Sequence, residues 1–418
     1  MQKQKAENPN YKKTILPSGI RVVSETIPYV RSVSVGVWAN VGSRDEDEKR
    51  NGISHFLEHM VFKGTKNRSV KEIAQSLESV GGFLNAFTTK EQTCFYARVL
   101  DENLSKSVDV LADLIQNATF DAGELEREKT VVIEELKNGE DDPEDLIHDH
   151  FERALFPEHS LGYPIIGTEK NLRAFTRKDL FSHVASHYSP SNMVVAVAGN
   201  VEHKRLVAHV EKSFRRVKQR PISRMRTRAP QKAINPIKKE IVKPITQAHV
   251  CLGTVGYSIR HKDRYALLVM NALLGEGMSS RLYQTIREKH GMAYTVYSFL
   301  SFLSDTGVFG TYIGTDRNKV DDAVRLIHRE FGKLREKMVS RAELERTKAQ
   351  IKGTMMLGLE NMSGRMMRLG SGELQLETFV PLDSVLRKVD AVTSESIQSV
   401  ANELLVEKNF STIVVRPA

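Results

Sequence analysis

The chain has little with which to staple itself covalently and nothing long enough to cross a membrane as a helix. Cys94 and Cys251 are the only cysteines in 418 residues. Both sit in strand-like contexts, TCFYARV and AHVCLGTV, so two buried thiols are expected, and a disulfide framework or cysteine-based metal cluster is excluded. No apolar run approaches the ~18 residues a membrane helix needs. The opening MQKQKAENPNYKKT lacks an apolar core and a cleavage site, and with Glu7 but no Arg or Ser it does not read as a mitochondrial transit peptide. A soluble protein without membrane insertion is expected.

Composition is otherwise ordinary for a globular chain, 40% hydrophobic and 27% charged, with room for two or more cored domains. The net charge of +9 invites a polyanion-binding reading, but the charge is local. Lys212 to Lys243 holds twelve Lys and Arg against the single acid Glu240, which leaves the rest of the chain slightly acidic. That segment carries Pro221, Pro230 and Pro236 and little apolar periodicity, so residues 219–239 read as a solvated linker. No nucleic-acid partner is expected.

The stretch with most chemistry is HFLEHMVFKG, His55 to Gly64. On a helix, His55 and His59 lie one turn apart on one face with Glu58 beside them. Two imidazoles at that spacing can hold zinc, and a neighbouring carboxylate can reach water at an open coordination position. The order inverts the common His-Glu-x-x-His arrangement. The plain alternative is a helix with two satisfied histidines, and a third ligand would separate the two. ELEREKTVVIEELKN, Glu124 to Asn138, reads as a helix whose apolar arc of Leu125, Val131, Val132 and Leu136 also contains Glu128 and Glu135, with Glu134 turned to solvent. Buried carboxylates need partners, so metal ligation with a supporting acid is favoured over ordinary salt bridges.

HFLEHMVFKGT together with EREKTVVIEE resembles the pitrilysin/insulinase family of zinc metallopeptidases, in particular the branch that includes mitochondrial processing peptidase and its bacterial relatives. The likeness extends over nearly the whole chain. It implies one zinc held by His55, His59 and Glu135, Glu58 as general base and Glu128 as a supporting acid. It also implies that Asn85 and Ala86, in FLNAFTT, lie on an edge strand that pairs with substrate, and that Arg287 and Tyr294, in LLGEGMSSRLYQTIREKHGMAYTVYS, bind substrate carbonyls and help stabilise the oxyanion. Hydrolysis of extended, unfolded peptides, a homodimer and a bacterial cytoplasmic location are expected on the same basis. Some relatives of this kind have lost the zinc motif and serve as scaffold or substrate-binding subunits, which is the rival reading.

The remaining chain reads as α+β. A hairpin turns at Pro17-Ser18-Gly19, RSVSVGVWANVGS is a strand, Ser69 caps a helix that ends near Gly82, and Leu104 to Asn117 is helical. Asp142 caps a helix opened by Pro143, on which His148 and His150 are expected to be exposed. His183 and His187 share a helical face without an acid and are read as decoys. TRKDLFSHVASHY against TSESIQSVANELL, and SNMVVAV against KNFSTIVV, recur at an offset of 217. The expected organisation is therefore 1–218, linker 219–239 and 240–418, two homologous halves of mostly antiparallel sheet with helices, which the resemblance makes a clamshell around a central chamber. His55, Glu58 and His59 fall on Ala272, Gly275 and Glu276 under the offset, so the metal belongs to the first half alone. A helix is expected from Ser279 to His290, and the Met355 to Met367 run is read as packing.

Overall fold

The computed structural model describes residues 10–217, 219–220, 226–232 and 235–418. Residues 1–9, and 221–225 and 233–234 of the expected linker, Pro221 among them, lie outside the described residues. In chain order the first half holds β1 (Tyr11–Ile15), β2 (Arg21–Thr26), β3 (Ser32–Ala39), α1 (Ile53–Val61), α2 (Val70–Glu78), β4 (Phe83–Thr88), β5 (Thr93–Leu100), α3 (Leu104–Asn117), α4 (Ala122–Asp141), α5 (Pro143–Leu155), α6 (Glu169–Ala174), α7 (Arg177–His187), β6 (Met193–Gly199) and α8 (His203–Ser213). The second holds β7 (Lys238–Lys243), β8 (Ala248–Gly256), α9 (Arg264–Gly275), a π-helix (Tyr283–Lys289), β9 (Ala293–Phe302), β10 (Gly307–Thr315), α10 (Val320–Glu336), α11 (Arg341–Gly358), α12 (Met362–Leu376), α13 (Leu382–Asp390), α14 (Ser394–Leu404) and β11 (Ser411–Pro417).

Among the described residues the strands form two sheets, ordered β1-β2-β6-β3-β5-β4 and β7-β11-β8-β10-β9. Only β2 with β6 and β7 with β11 pair in parallel; the other pairings are antiparallel. The fold is α+β as expected, and the repeat is visible element by element: β7 and α14 lie 217 residues after β2 and α7. Local chemistry accounts for the element ends. Ser69 forms a capping box with Glu72, and Asp142 accepts from the Glu144 and Asp145 amides with Pro143 in the first turn.

The chain divides into two compact units that do not follow the sequence halves. Unit 1 comprises Met1–Leu136, Tyr163–Arg226 and Leu357–Pro381; unit 2 comprises Lys137–Gly162, Thr227–Met356 and Leu382–Ala418. Each sheet is covered on both faces. In unit 1, α1, α3 and α8 build the larger core, and α12, from the second half of the sequence, packs on β2, β3 and β6. In unit 2, α9, α10 and α14 build the larger core, and α5, from the first half, packs on β8 and β11. Because α5 and α12 occupy nearly equivalent positions in the repeat, the halves have exchanged one helix. The exchange explains two departures from expectation. His148 is not exposed: it bonds the Tyr297 hydroxyl (2.9 Å) and packs against Phe299. The methionine run divides, with Met362 and Met366 on the buried face of α12 and Met356 exposed.

The expected linker is also less free than its composition suggests. Ala229 is buried, and Arg226 grips both oxygens of buried Asp45 (2.7 and 2.8 Å). Cys94 and Cys251 are free, buried thiols as expected.

Candidate metal centre

Helix α1 sorts its residues into two faces. Ile53, Phe56, Leu57, Met60 and Val61 are buried in the core, a repeat of three and four residues, whereas His55, Glu58 and His59 form the opposite, partly open face. Helix α4 faces them. Its buried positions are Leu125, Glu128, Lys129, Val132 and Ile133, so the apolar face is turned from the arc expected from sequence, and Val131 is 51% exposed. Glu135 is correspondingly half-exposed rather than buried, because it borders an open site and not the core.

The two helices bring three donors together. His55 Nε2 lies 3.7 Å from Glu135 Oε1, and His59 Nε2 lies 3.3 Å from Glu135 Oε2. One ligand atom from each of these residues falls within 4.8 Å of the others, the one such group of His, Cys, Asp and Glu among the described residues. Glu128, buried, accepts from His59 Nδ1 (2.9 Å) and pairs with Lys63 Nζ (2.7 Å). That bond places a proton on His59 Nδ1 and leaves Nε2, on the Glu135 side, as the nitrogen a metal would take in exchange for its proton, the usual outer support of a metal-bound imidazole. It also shows that the two readings of the paired glutamates both have substance, since Glu128 makes an ion pair while Glu135 completes the donor group.

Glu58 points to the same space and accepts a hydrogen bond from Thr88 Oγ1 on β4 (2.6 Å). Burial raises its carboxyl above the ordinary value, against the Thr88 bond and His59. Burial and the neighbouring His59 push His55 down to about 4. For His59 burial works the same way but is outweighed by Glu128 and Glu135, which lift it to about 9. Three carboxylates, one of them paired with Lys63, gather around two imidazoles, and the donor set suits zinc.

The entry to α1 depends on Glu46, which the sequence reading missed. Gly52 is the N-cap with φ +98°, and a Cβ there would lie 2.6 Å from the Ile166 carbonyl and 2.8 Å from Gly167 Cα. Glycine offers no capping side chain, and the carboxylate of Glu46 takes that part. Its Oε2 accepts from the Gly52 amide (2.8 Å) and Asn51 Nδ2 (3.1 Å), its Oε1 from the Ser54 amide (2.8 Å). Burial pushes the Glu46 carboxyl up to about 7 against these bonds. Behind Ser54, His183 Nε2 meets its hydroxyl (3.3 Å), so His183 and His187 are buried support and join no metal group among the described residues.

The other expected residues are placed as follows. Asn85 and Ala86 lie on β4, which is an edge strand. Asn85 is exposed, and its Oδ1 accepts from the Ala86 amide (2.9 Å). In unit 2, Arg287 lies on the π-helix, where an α-helix was expected, and Tyr294 opens β9. The Arg287 guanidinium sits between two rings, 4.9 Å from Tyr283 and 4.6 Å from Tyr294, and donates to the Tyr294 carbonyl (2.9 Å).

Known proteins resemble this chain along nearly its whole length. Residues 21–169 match the insulinase family, peptidase family M16, and residues 174–351 match that family's inactive domain. The uncharacterized zinc protease YmxG of Bacillus subtilis is 41% identical over 96% of this chain and 97% of its own length. An uncharacterized zinc protease of Mycobacterium leprae, ML0855, is 40% identical over 100% of this chain and 94% of its own. Among solved structures, a protease from Helicobacter pylori superposes with a TM-score of 0.92 at 25% identity, covering 98% of this chain and 100% of that one. The chain belongs to the insulinase family of peptidases, M16, and its relatives in bacteria carry the name of zinc proteases. No helix of the described residues is long and apolar enough to cross a membrane.

Proposed function

We propose that this chain is a zinc endopeptidase for extended, unfolded peptides, with one zinc per chain held by His55, His59 and Glu135. The observation that carries the reading is the convergence of those three donors within 4.8 Å on the face of α1 that also bears Glu58. Bound there, zinc would supply Lewis-acid polarisation of a carbonyl and lower the pKa of water at its open position. Glu58 takes the proton of the attacking water and returns it to the leaving amine, while Thr88 holds its Oε2 in place. Glu128 keeps the His59 ring oriented through Nδ1.

Substrate joins β4 as an added strand. The Ala86 amide donates to Asn85 Oδ1 rather than across the ladder, so it is the group a peptide carbonyl would take over. Arg287, flanked by its two tyrosines, and Tyr294 bind substrate carbonyls and help stabilise the oxyanion. The protein works as a homodimer.

The test is cleavage of an unstructured, internally quenched peptide library by wild type and Glu58→Gln, with bound metal measured in both. Cleavage by wild type alone, with about one zinc in each protein, is the expected result. Metal in both with cleavage in neither would support the scaffold reading, which the inactive-domain match of residues 174–351 keeps in view. Cleavage that survives in Glu58→Gln would remove Glu58 as the base.

A further inference from the structure

The two histidines of α1 are held in different ways. His59 has a carboxylate on its Nδ1, supplied by Glu128. His55 has none: among the described residues its Nδ1 is buried without a hydrogen-bond partner, so the ring lacks that outer support. What fixes His55 is the backbone that carries it. With Gly52 as N-cap, His55 is the third residue of the helix, in the first turn, where amides have no partner within the helix. A glycine N-cap has no side chain to accept from these amides, so the acceptor must come from elsewhere.

Glu46 is that acceptor, and its surroundings leave it no other use. The side chain is buried, both oxygens are engaged, and the groups that donate to it belong to Asn51, Gly52 and Ser54, at the start of α1. The same turn is fixed from outside by Asn51 Nδ2 donating to the Pro164 carbonyl (2.8 Å) and Asn171 Nδ2 donating to the Asn51 carbonyl (3.1 Å). We infer that Glu46 is the positioning residue of His55, the counterpart of Glu128 for His59, acting through the backbone of the first turn instead of the imidazole ring. The inference rests on the metal reading above.

An amide at position 46 cannot serve both sides, because its nitrogen would face either the Ser54 amide or the Gly52 and Asn51 donors. In Glu46→Gln the first turn therefore loosens and His55 strays from the donor group. The measurement is Co²⁺ binding at pH 8 and 10 °C, read by titration and by the visible ligand-field spectrum, with near-UV circular dichroism to confirm that each protein is folded. Wild type is expected to bind one Co²⁺. Glu46→Gln is expected to bind it about 10–100-fold more weakly, as for other outer supports of a metal ligand, with a changed spectrum. Glu46→Asp, which keeps the charge, recovers part of the loss and serves as the readout should the Gln variant not fold. In a His55→Ala background the Gln substitution should leave the residual affinity unchanged, because the residue it acts through is gone.

Wild type that binds no Co²⁺ would overturn the metal reading and this inference together. Tight binding by wild type with the same affinity and spectrum in Glu46→Gln or, if that does not fold, in Glu46→Asp, would overturn the inference alone. So would a Gln effect of equal size in the His55→Ala background, which would show that Glu46 serves the fold at large.

Discussion

At the scale of single residues, the candidate site is built from polar groups placed where their ionisation is constrained. His183 is the clearest case outside the donor group. It is buried beneath α1, and burial together with neighbouring His187 and Arg50 pushes it down to about 3, against the pull of Asp45. The folded protein therefore refuses a proton that the unfolded chain accepts at a pKa near 6.5. Between pH 6.5 and 3 the unfolded state holds more protons, so acidification favours unfolding, by up to about 1.4 kcal/mol per pH unit for this one group. His183→Gln removes that contribution. The expected outcome is a variant less stable than wild type at pH 8, through loss of the Ser54 contact, whose deficit shrinks between pH 6.5 and 5.5. Thermal unfolding of both metal-free proteins across that range reads it, with the difference between the two curves isolating position 183 and its contact with His187. A deficit that stays constant with pH would mean that His183 takes up its proton equally in the folded and unfolded protein.

At the scale of elements, the edge position of β4 gives the strand-addition reading a direct test. Ala86→Pro deletes the one amide that donates to the Asn85 side chain, and proline is tolerated on edge strands when the lost N–H faces outward. Losing one backbone hydrogen bond to substrate is worth about 1 kcal/mol or somewhat more, so kcat/KM should fall by roughly tenfold, mostly through KM, with metal content unchanged. Unaltered KM would place the peptide elsewhere. Elements were also where the sequence was most and least legible. The His-x-x-Glu-His face of α1 and the capped starts of α2 and α5 follow from local patterns, because the chemistry and its spacing sit within one or two turns. Glu46 could not be singled out among the acids of SRDEDEKR, since its partners become neighbours only through a tertiary turn at Gly52. The half-exposure of Glu135 and Val131 was hidden for a related reason: periodicity finds an apolar arc, but an open site can interrupt it.

At the scale of the whole molecule, the 217-residue repeat was readable and the exchange of α5 and α12 was not. A pattern tells that one face of α12 is apolar but not which sheet will cover it. The consequence is energetic. Met366, Leu369 and Leu374 of α12 are buried with Trp38, Val194 and Ala196 of unit 1, and Glu373 is buried with its ion pairs to Lys13 and Arg21. Three large apolar side chains alone are worth roughly 5–9 kcal/mol, about the net stability of a typical domain. Gly370 shows how closely the helix fits, since any Cβ there would enter the Trp38 ring. A first half cut within 219–239 lacks this cover, and a second half lacks Ile147, Phe151 and Leu155 of α5 over β8 and β11. Produced separately, each half should therefore aggregate or bind hydrophobic dyes, whereas the two produced together in one cell should copurify at equal stoichiometry. The copurified pair should bind one Co²⁺ per pair, because the donor group lies wholly within residues 55–135. A first half that is soluble, monomeric and metal-binding by itself would show that the face under α12 needs no cover, and the exchanged helices would then be accessory to the fold.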